Sequence, residues 1–310
     1  MERKLLLAVD DSLHSKNAVR YAGRLMAADS DVHFDLLNVQ PPVSEFLVEE
    51  ARRKGDARRQ LDKLLAKNAE HARETLANLK KALEAVGVAE ARIADHTAPR
   101  SLGIAKDILD YGMERRYDAI VLGRRGASGL KDVFFGSVSN TVIQQSRVLP
   151  VWLIDGDLEP GRILVPVDGS VSAIRAVDHL AFMMAGRKDC RLTFFHVQPK
   201  LRHFCTIDFD DATAEPLDEI LASGSDVCID NFYGKARHKL AEFDIGEDQI
   251  DIKTRTGLGS IGGMILEEMT RGGYSTLVMG RRGTSRSYFM GSVTQYVLGK
   301  SQNLAVWIVP

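Results

Sequence analysis

The sequence predicts a doubly wound α/β fold that occurs twice along the chain. Two observations support this prediction: short apolar runs alternate with segments of helical period, and the second half of the chain repeats the first in the same order. Continuous apolar runs are typical of strands that are covered on both faces, as in parallel sheets. Strands that alternate with helices build such sheets through right-handed crossovers. We therefore expect two sheets with helices on both faces.

Four pairs of matching segments define the repeat. The first two pairs are 158 residues apart, the third is 157 apart and the last is 155 apart, so a glycine loop before the last pair is two residues shorter in the second copy. A turn-rich stretch, DGDLEPG, separates two predicted domains, residues 1–156 and residues 157–310. The pairs are KLLLAVDDS (4–12) with RILVPVDGS (162–170), DLLNVQP (35–41) with TFFHVQP (193–199), YDAIVLGRRG (117–126) with YSTLVMGRRG (274–283), and LPVWLID (149–155) with LAVWIVP (304–310).

The strands are predicted where apolar and β-branched residues run together, and the helices where apolar residues recur at helical spacing. The predicted strands are 5–9, 34–39, 119–122 and 151–154 in the first copy, and 163–167, 192–197, 250–253, 276–279 and 306–309 in the second. The apolar helix faces of the first copy are Val19, Ala22, Leu25 and Met26, and then Leu61, Leu64, Leu65, Leu76, Leu79, Leu83 and Val86.

The connections between the second and third strands, residues 43–90 and 200–246, are long and dissimilar. The first carries charges of both signs, which is typical of a solvated amphipathic helix. The second is acidic and is a candidate lid or partner surface. This divergence indicates different roles for the two halves.

Composition and charge exclude several classes of function. The 310 residues are 45% hydrophobic and 27% charged, with 41 Lys and Arg against 42 Asp and Glu, so no overall positive field attracts nucleic acid or a membrane surface. The first apolar run is too short for a signal peptide or a membrane span, and we expect a cytoplasmic protein. Three cysteines without CxxC spacing and scattered histidines predict neither a disulfide framework nor a metal site.

The first strand of each copy ends in an aspartate with a serine two residues later, at Asp10 and Ser12 and again at Asp168 and Ser170. The aspartate lies where open α/β sheets bind their ligands, and it could accept hydrogen bonds from a ribose hydroxyl or a base. For the aspartate, capping of the following helix is an equally good interpretation, and the serine suits the N-cap of that helix.

A glycine loop follows the fourth strand, with Gly123 and Gly126 at its start and Gly136 and Ser137 before the next helix. Glycines let backbone N–H groups turn toward a ligand at a helix N-terminus, which favours phosphate. The spacing is not that of a Walker loop. Ser137 could bind phosphate or cap its helix. Arg124 and its neighbour, and the equivalent pair in the second copy, could neutralise phosphate charge or be solvated.

These motifs together resemble the universal stress protein family, and the resemblance covers almost the whole chain as two tandem domains. It implies five-stranded parallel sheets of order 3-2-1-4-5 and a binding site for ATP or AMP, with the presence of Mg²⁺ left open. In nucleotide-binding members the glycines and serine hold phosphate, the aspartate lies against the nucleoside, and the end of the second strand flanks the adenine. The resemblance nominates Asp10, Val39, Gly123, Gly126, Gly136 and Ser137, and in the second copy Asp168, Val197, Gly280, Gly283, Gly291 and Ser292.

The second site departs from the family pattern, because seven residues separate Gly283 from Gly291 where the first copy has nine. We therefore expect the first domain to bind nucleotide and doubt that the second does. A G-x-G-x-x-G sequence at residues 257–262 follows the third strand of its unit, whereas a dinucleotide fingerprint belongs after the first. The resemblance makes this segment a peripheral loop at the rim of the site.

Trp152 and Trp307 occupy equivalent places in the two last strands. They are expected to be buried, and the resemblance implies that the last strand pairs with that of a partner domain. An internal pseudo-dimer and a homodimer are both compatible with it.

Three functions are compatible with the sequence. The first is a regulatory stress protein that binds an adenine nucleotide and is not a dedicated catalyst, with slow ATP hydrolysis at most, because no general base, nucleophile or metal cluster accompanies the glycine loop. The second is an interaction scaffold or chaperone-like stress protein without nucleotide. The third, an adenylating enzyme, rests on fold analogy alone. Protein partners are not predicted.

Overall fold

The computed structural model describes residues 1–125, 136–203, 211–257, 259–283 and 290–310. The chain divides into two compact units, Met1–Asp157 and Leu158–Pro310. Among the described residues, no helix is both long enough and apolar enough to cross a membrane.

The first unit alternates strands and helices along the chain. Its elements are β1 (Arg3–Ala8), α1 (Leu13–Met26), β2 (Val32–Val39), α2 (Glu45–Arg53), α3 (Gly55–Glu84), β3 (Ile93–Ala98), α4 (Ile104–Glu114), β4 (Ala119–Gly123), α5 (Ser137–Gln145) and β5 (Val151–Ile154). These strands form a parallel sheet in the order β3-β2-β1-β4-β5, which confirms the predicted topology.

The second unit repeats this architecture. Its elements are β6 (Ile163–Val167), α6 (Val171–Met183), β7 (Leu192–Val197), α7 (Asp211–Ala241), β8 (Ile250–Arg255), α8 (Ile261–Arg271), β9 (Thr276–Gly280), α9 (Ser292–Lys300) and β10 (Ala305–Val309). The sheet order is β10-β9-β6-β7-β8, again parallel throughout, so each unit has its first and fourth strands side by side.

Burial explains the continuous apolar runs of the central strands. Leu5, Leu6 and Leu7 of β1 have no exposed surface, so side chains on both faces of this strand are covered. A parallel sheet with helices on both faces requires this pattern. The edge strand β3 differs, because Ile93 is its one buried residue. Its polar sequence, IADHTA, carries no continuous apolar run, and the run pattern therefore did not locate it.

The helix α3 uses only part of its predicted apolar face. Leu76, Leu79 and Leu83 in its C-terminal half are buried, whereas Leu64 and Leu65 are 38% and 42% exposed. The largely polar stretch between Leu65 and Leu76 marks the point at which the helix leaves the core, and the helix itself continues without a break.

One serine caps the first helix of each unit. The Ser12 hydroxyl accepts a hydrogen bond from the backbone N–H of Ser15, and the Ser170 hydroxyl accepts one from the N–H of Ala173, both at 3.1 Å. These bonds satisfy backbone groups that a helix leaves without internal partners, so the capping interpretation of both serines is confirmed.

Trp152 and Trp307 are fully buried in the last strands, as expected. The ring of His179 on α6 lies against Trp307, with 5.9 Å between ring centroids in a T-shaped arrangement. Burial lowers the pKa of His179 to about 3, so this imidazole is neutral in the folded unit at neutral pH.

Acid should destabilise the second unit through His179. The pKa of this side chain is about 3 in the folded unit and 6.5 without burial, so below pH 6.5 the unfolded chain binds a proton that the folded unit does not. The contribution to stability is complete above pH 6.5 and falls by up to about 1.4 kcal/mol per pH unit below it. We expect His179→Gln to reduce the drop in unfolding midpoint between pH 7 and pH 5, measured by circular dichroism.

The control is His238→Gln, since the His238 side chain is 78% exposed. It should leave the pH dependence as in the unchanged chain. The same dependence in all three proteins would show that His179 is not the titrating group.

Candidate functional site

The cleft of the first unit lies where β1 and β4 run side by side. Asp10 follows β1 and Gly123 ends β4, so the sheet brings these two predicted residues to one edge. A cavity of about 120 Å³ opens there. It is lined by Ala8, Val9, Asp10, Ser15, Leu37, Val39, Ile104, Ile108, Leu122, Gly123, Arg125, Gly136, Ser137, Val138 and Ser139.

Asp10 is held by the turn that precedes α1. Its Oδ1 accepts hydrogen bonds from the backbone N–H of Ser12, at 3.1 Å, and from the hydroxyl of Ser15, at 2.7 Å. The Ser15 hydroxyl oxygen also accepts the backbone N–H of Asp10, at 3.0 Å. Asp10 thus organises the start of α1 and lines the cleft at the same time. Sequence reasoning missed Ser15. Its place in the first turn of α1, five residues after Asp10, could have indicated that its hydroxyl reaches the aspartate.

Gly123 is required by close packing. A Cβ atom on this residue would lie 2.7 Å from the carbonyl carbon of His14, a contact with backbone that cannot move aside. The carbonyl of Gly123 also accepts the hydroxyl of Ser139 from α5, at 2.8 Å. The end of β4 therefore joins the first turns of α1 and α5, and Ser139 is a second positioning residue that the motif did not indicate.

The glycine loop begins and ends at one place. The backbone N–H of Gly136 donates to the carbonyl of Arg124 at 3.0 Å, so the loop returns to its starting point just before α5. Gly136 is the N-cap residue of α5 and has no side chain. Ser137 is the first helical residue, and its hydroxyl does not cap the helix. The capping interpretation of Ser137 is therefore wrong, and its exposed hydroxyl lines the cleft beside the backbone N–H groups of the first helical turn.

The two arginines of the loop differ in their surroundings. Arg124 is 2% exposed, and its guanidinium lies 3.6 Å from the carboxylate of Asp155. Burial lowers the pKa of Arg124, and the charge of Asp155 acts in the opposite direction. Arg124 is thus neither solvated nor part of the cleft lining, whereas Arg125 is exposed and lines the cleft.

Among the other nominated residues of the first unit, Val39 lies at the end of β2 and lines the cleft. Gly126 lies outside the described residues, as do residues 127–135.

The second unit keeps the same framework of bonds. Gly280 ends β9, and a Cβ atom on it would lie 2.7 Å from the backbone of Ser172. The hydroxyl of Thr294 donates to the carbonyl of Gly280 at 3.1 Å. The N–H of Gly291 donates to the carbonyl of Arg281 at 3.0 Å, so the shorter loop closes through the same bond as the longer one. Ser292 starts α9 without capping it.

The surroundings of Asp168 are different in this unit. Its Oδ1 accepts the N–H of Ser170 at 3.0 Å, but Ala173 stands where the first unit has Ser15. A Cβ atom on Gly283 would lie 2.8 Å from Asp168 Oδ2, which places the loop backbone next to this carboxylate. The part of the loop at residues 284–289 lies outside the described residues.

Side chains of α7 also lie against this edge of the second sheet. His196, one residue before Val197, donates from Nδ1 to the carbonyl of Val167 at 3.0 Å, since a carbonyl can only accept. Its Nε2 then accepts the hydroxyl of Ser225, also at 3.0 Å. A Cβ atom on Gly169 would lie 2.3 Å from the sulfur of Cys228. In the first unit the position of His196 is taken by Asn38, which donates to the carbonyl of Val9.

The G-x-G-x-x-G sequence begins after β8, at the edge of the second sheet and away from its switch point. Ser260 caps α8 by accepting the N–H of Gly263, and a Cβ atom on Gly262 would lie 2.6 Å from the ring of Tyr296. Gly262 therefore has a packing role that the motif alone does not distinguish from phosphate binding.

The sequence pattern of the Universal stress protein family matches residues 1–155 and 160–310. The chain belongs to the universal stress protein family. The two matched segments correspond to the two units, and the resemblance predicted from the motifs is confirmed.

Two solved structures of low sequence identity share this fold, and a third match covers about half of the chain. This universal stress protein is similar to one from Archaeoglobus fulgidus DSM 4304, with 22% identity, a TM-score of 0.62, and coverage of 99% of this chain and 97% of that chain. A functionally unknown protein from Pseudomonas aeruginosa PAO1 has 14% identity, a TM-score of 0.61 and coverage of 99% and 92%. A universal stress protein in complex with cAMP has 20% identity, a TM-score of 0.35 and coverage of 49% and 96%. Among curated proteins, none matches at a significant level.

The close packing of Gly123 and Gly280 predicts the effect of a single methyl group in this universal stress protein. Gly123→Ala and Gly280→Ala should each lower the stability of their unit by about 1–3 kcal/mol, because the added atom meets helix backbone. Gly55→Ala is the control, since nothing lies within 4 Å of its Cβ position. Thermal unfolding measures all three, and equal midpoints would contradict the packing role.

Proposed function

We propose that this universal stress protein is a cytoplasmic regulatory protein of the stress response that binds an adenine nucleotide, ATP or AMP, in the cleft of its first unit. The observation that carries the proposal is the convergence of an acid, a helix N-terminus and an apolar strand end on one cleft. Asp10, Val39 and Ser137 represent these three parts, and they come from separate segments of the chain.

The phosphates belong at the start of α5. A helix leaves the N–H groups of its first turn without internal partners, and its dipole favours negative charge there. The loop closure at Gly136 aims these groups at the cleft, where Ser137 adds a hydroxyl and Arg125 adds a positive charge. Arg124 has no place in this proposal, because its guanidinium is buried beside Asp155.

The nucleoside belongs at the other end of the cleft. Leu37 and Val39 at the end of β2, together with Ile104 and Ile108 of α4, offer an apolar surface for a base. Asp10 lies between this surface and the loop and can accept a hydrogen bond from a ribose hydroxyl. Mg²⁺, where it accompanies ATP, is expected to be held largely by phosphate oxygens and water.

Binding without dedicated catalysis follows from the same residues. In the described part of the cleft lining, Asp10 is the only carboxylate and no histidine or lysine is present. Its Oδ1 already accepts two hydrogen bonds from the α1 turn. A general base positioned for an attacking water is thus missing from these residues, and slow turnover at most is expected.

The second unit is proposed to lack this nucleotide site. Its framework is preserved, but Gly283 lies against the Asp168 carboxylate and α7 places Ser225 and Cys228 at the same sheet edge. The contact at Gly283 places loop backbone beside the carboxylate that is equivalent to Asp10, where the proposal for the first unit has a ribose hydroxyl.

Gly136→Leu should abolish ATP binding in the cleft, because a branched side chain would lie where the phosphates approach the N-terminus of α5. Isothermal titration calorimetry measures the affinity and the stoichiometry. Gly291→Leu is the matched variant in the second unit and should leave ATP binding in the cleft at unchanged affinity. An ATP stoichiometry that Gly136→Leu leaves unchanged would refute the proposed site.

Arg125→Gln should weaken ATP binding about tenfold, the size of effect expected for one hydrogen bond to a charged group. AMP carries fewer phosphate charges, so its affinity should change less. Arg58→Gln on α3 is the control, because Arg58 is exposed and does not line the cleft. Equal losses for both nucleotides would place Arg125 away from the terminal phosphates.

An interaction scaffold that binds no nucleotide is the second candidate. The observation that favours it is the exposed apolar surface of α2 and α3, where Phe46 is 87% exposed and Leu64 and Leu65 are partly exposed. Mass spectrometry of gently purified protein separates the two functions. A co-purified adenine nucleotide supports the first, and none at saturating ATP supports the second.

A further inference from the structure

A groove of about 420 Å³ lies between α1 and α3 of the first unit. The two helices approach closely at Gly23, where a Cβ atom would lie 2.5 Å from the side chain of Val86. Small side chains, among them Ala82, keep the groove open beside this contact.

The lining of this α1–α3 groove is strongly cationic. Lys16, Arg20 and Arg24 recur every four residues on one face of α1, and Lys81 faces them from α3. A helix rises 1.5 Å per residue, so the α1 cations span about 12 Å. Asp157 accepts hydrogen bonds from Arg20 at 3.1 Å and from Arg24 at 2.7 Å.

The contacts of Asp157 show that Arg20 and Arg24 bind an anionic oxygen group. Its carboxylate lies between two guanidinium groups one helical turn apart, which is the geometry that suits an oxyanion. Within the described residues, no hydrogen bond or ion pair holds the ammonium groups of Lys16 and Lys81.

The second unit shows that the fold does not need these cations. The helix caps at Ser12 and Ser170 align α1 with α6 at an offset of 158 residues. Lys16, Arg20 and Arg24 then correspond to Ile174, Asp178 and Phe182. After α3 the backbone N–H of Val88 donates to the carbonyl of Leu83, and after α7 the N–H of Ile245 donates to the carbonyl of Leu240. These equivalent bonds align α3 with α7 at an offset of 157. Ala82 and Val86 then correspond to Lys239 and Phe243.

These replacements close the groove in the second unit. The rings of Phe182 and Phe243 meet in a T-shaped contact with centroids 6.1 Å apart. The carboxylate of Asp178 lies 3.2 Å from the ammonium group of Lys239. The same helix pair is therefore filled and electrically paired in one unit, and open and cationic in the other.

We propose that the α1–α3 groove is a second anion site, separate from the cleft, and that it binds a small molecule with two or more phosphate groups. Asp157 engages Arg20 and Arg24, and the ammonium groups of Lys16 and Lys81 are left for further anionic groups. The three cations of α1, four residues apart along the helix, span about 12 Å, and a single phosphate is too small to contact all of them. The small apolar side chains give a multiply phosphorylated molecule room between the helices.

Inorganic triphosphate is the probe, measured by calorimetry on the full chain at about 0.15 M ionic strength, where exposed charges are screened beyond about 8 Å. Lys16→Gln combined with Arg20→Gln should weaken its binding at least about tenfold. Asp157→Asn should strengthen binding several-fold, because it removes the carboxylate that competes for the arginines. A purely structural role for Asp157 would not produce a tighter complex.

Two controls locate the bound triphosphate. Arg73→Gln, on an exposed part of α3 outside the groove, should leave the affinity unchanged. Gly136→Leu should retain binding in the groove, since it alters the cleft alone. Loss of all binding in Gly136→Leu, with affinity unchanged in the Lys16 and Arg20 variant, would overturn the proposal. So would the absence of any triphosphate binding by the unchanged chain.

Discussion

A side chain on Gly123 would collide with the backbone of His14, and this close approach positions the whole cleft. It brings the end of β4 against the first turn of α1, where Asp10 is fixed by Ser15. The Gly123 carbonyl then receives Ser139, which fixes the start of α5. The acid, the loop and the helix N-terminus are thus set by one contact between a strand and a helix. The same contact recurs at Gly280, so each unit keeps it whatever else its site has changed.

The two units show which parts of a site can change once that contact is kept. The glycine loop is shorter in the second unit, but the hydrogen bond that closes it at Gly291 is kept. The two ends of the loop therefore stay together whatever the loop length. The surface of the long helix changes more. His71 on α3 lies 3.2 Å from the carboxylate of Asp11, and the equivalent positions in the second unit are Cys228 and Gly169. A polar contact across the edge of the cleft has been replaced by direct packing.

The position of the central strands could be predicted from the sequence, because buried parallel strands leave continuous apolar runs such as the one at β1. The strand order and the place of the cleft were implied by the family resemblance. The edge strand β3 could not be located in this way, since one of its faces is polar and exposed. The motif placed Asp10, Gly123 and Gly136 together. It could not distinguish Arg124 from its neighbour, because burial beside Asp155 depends on how the loop leaves the sheet.

The near-zero net charge of the chain means that any attraction for anions must arise locally. Arg20 and Arg24 lie one turn apart on α1, and like charges at this spacing destabilise a helix. The second unit avoids the repulsion, because Asp178 and Phe182 stand at these positions. The first unit keeps both arginines and balances them with Asp157, a carboxylate from the turn-rich segment that ends the unit. An anionic ligand of the groove would therefore compete with the chain's own counterion, and its binding would release that segment from α1.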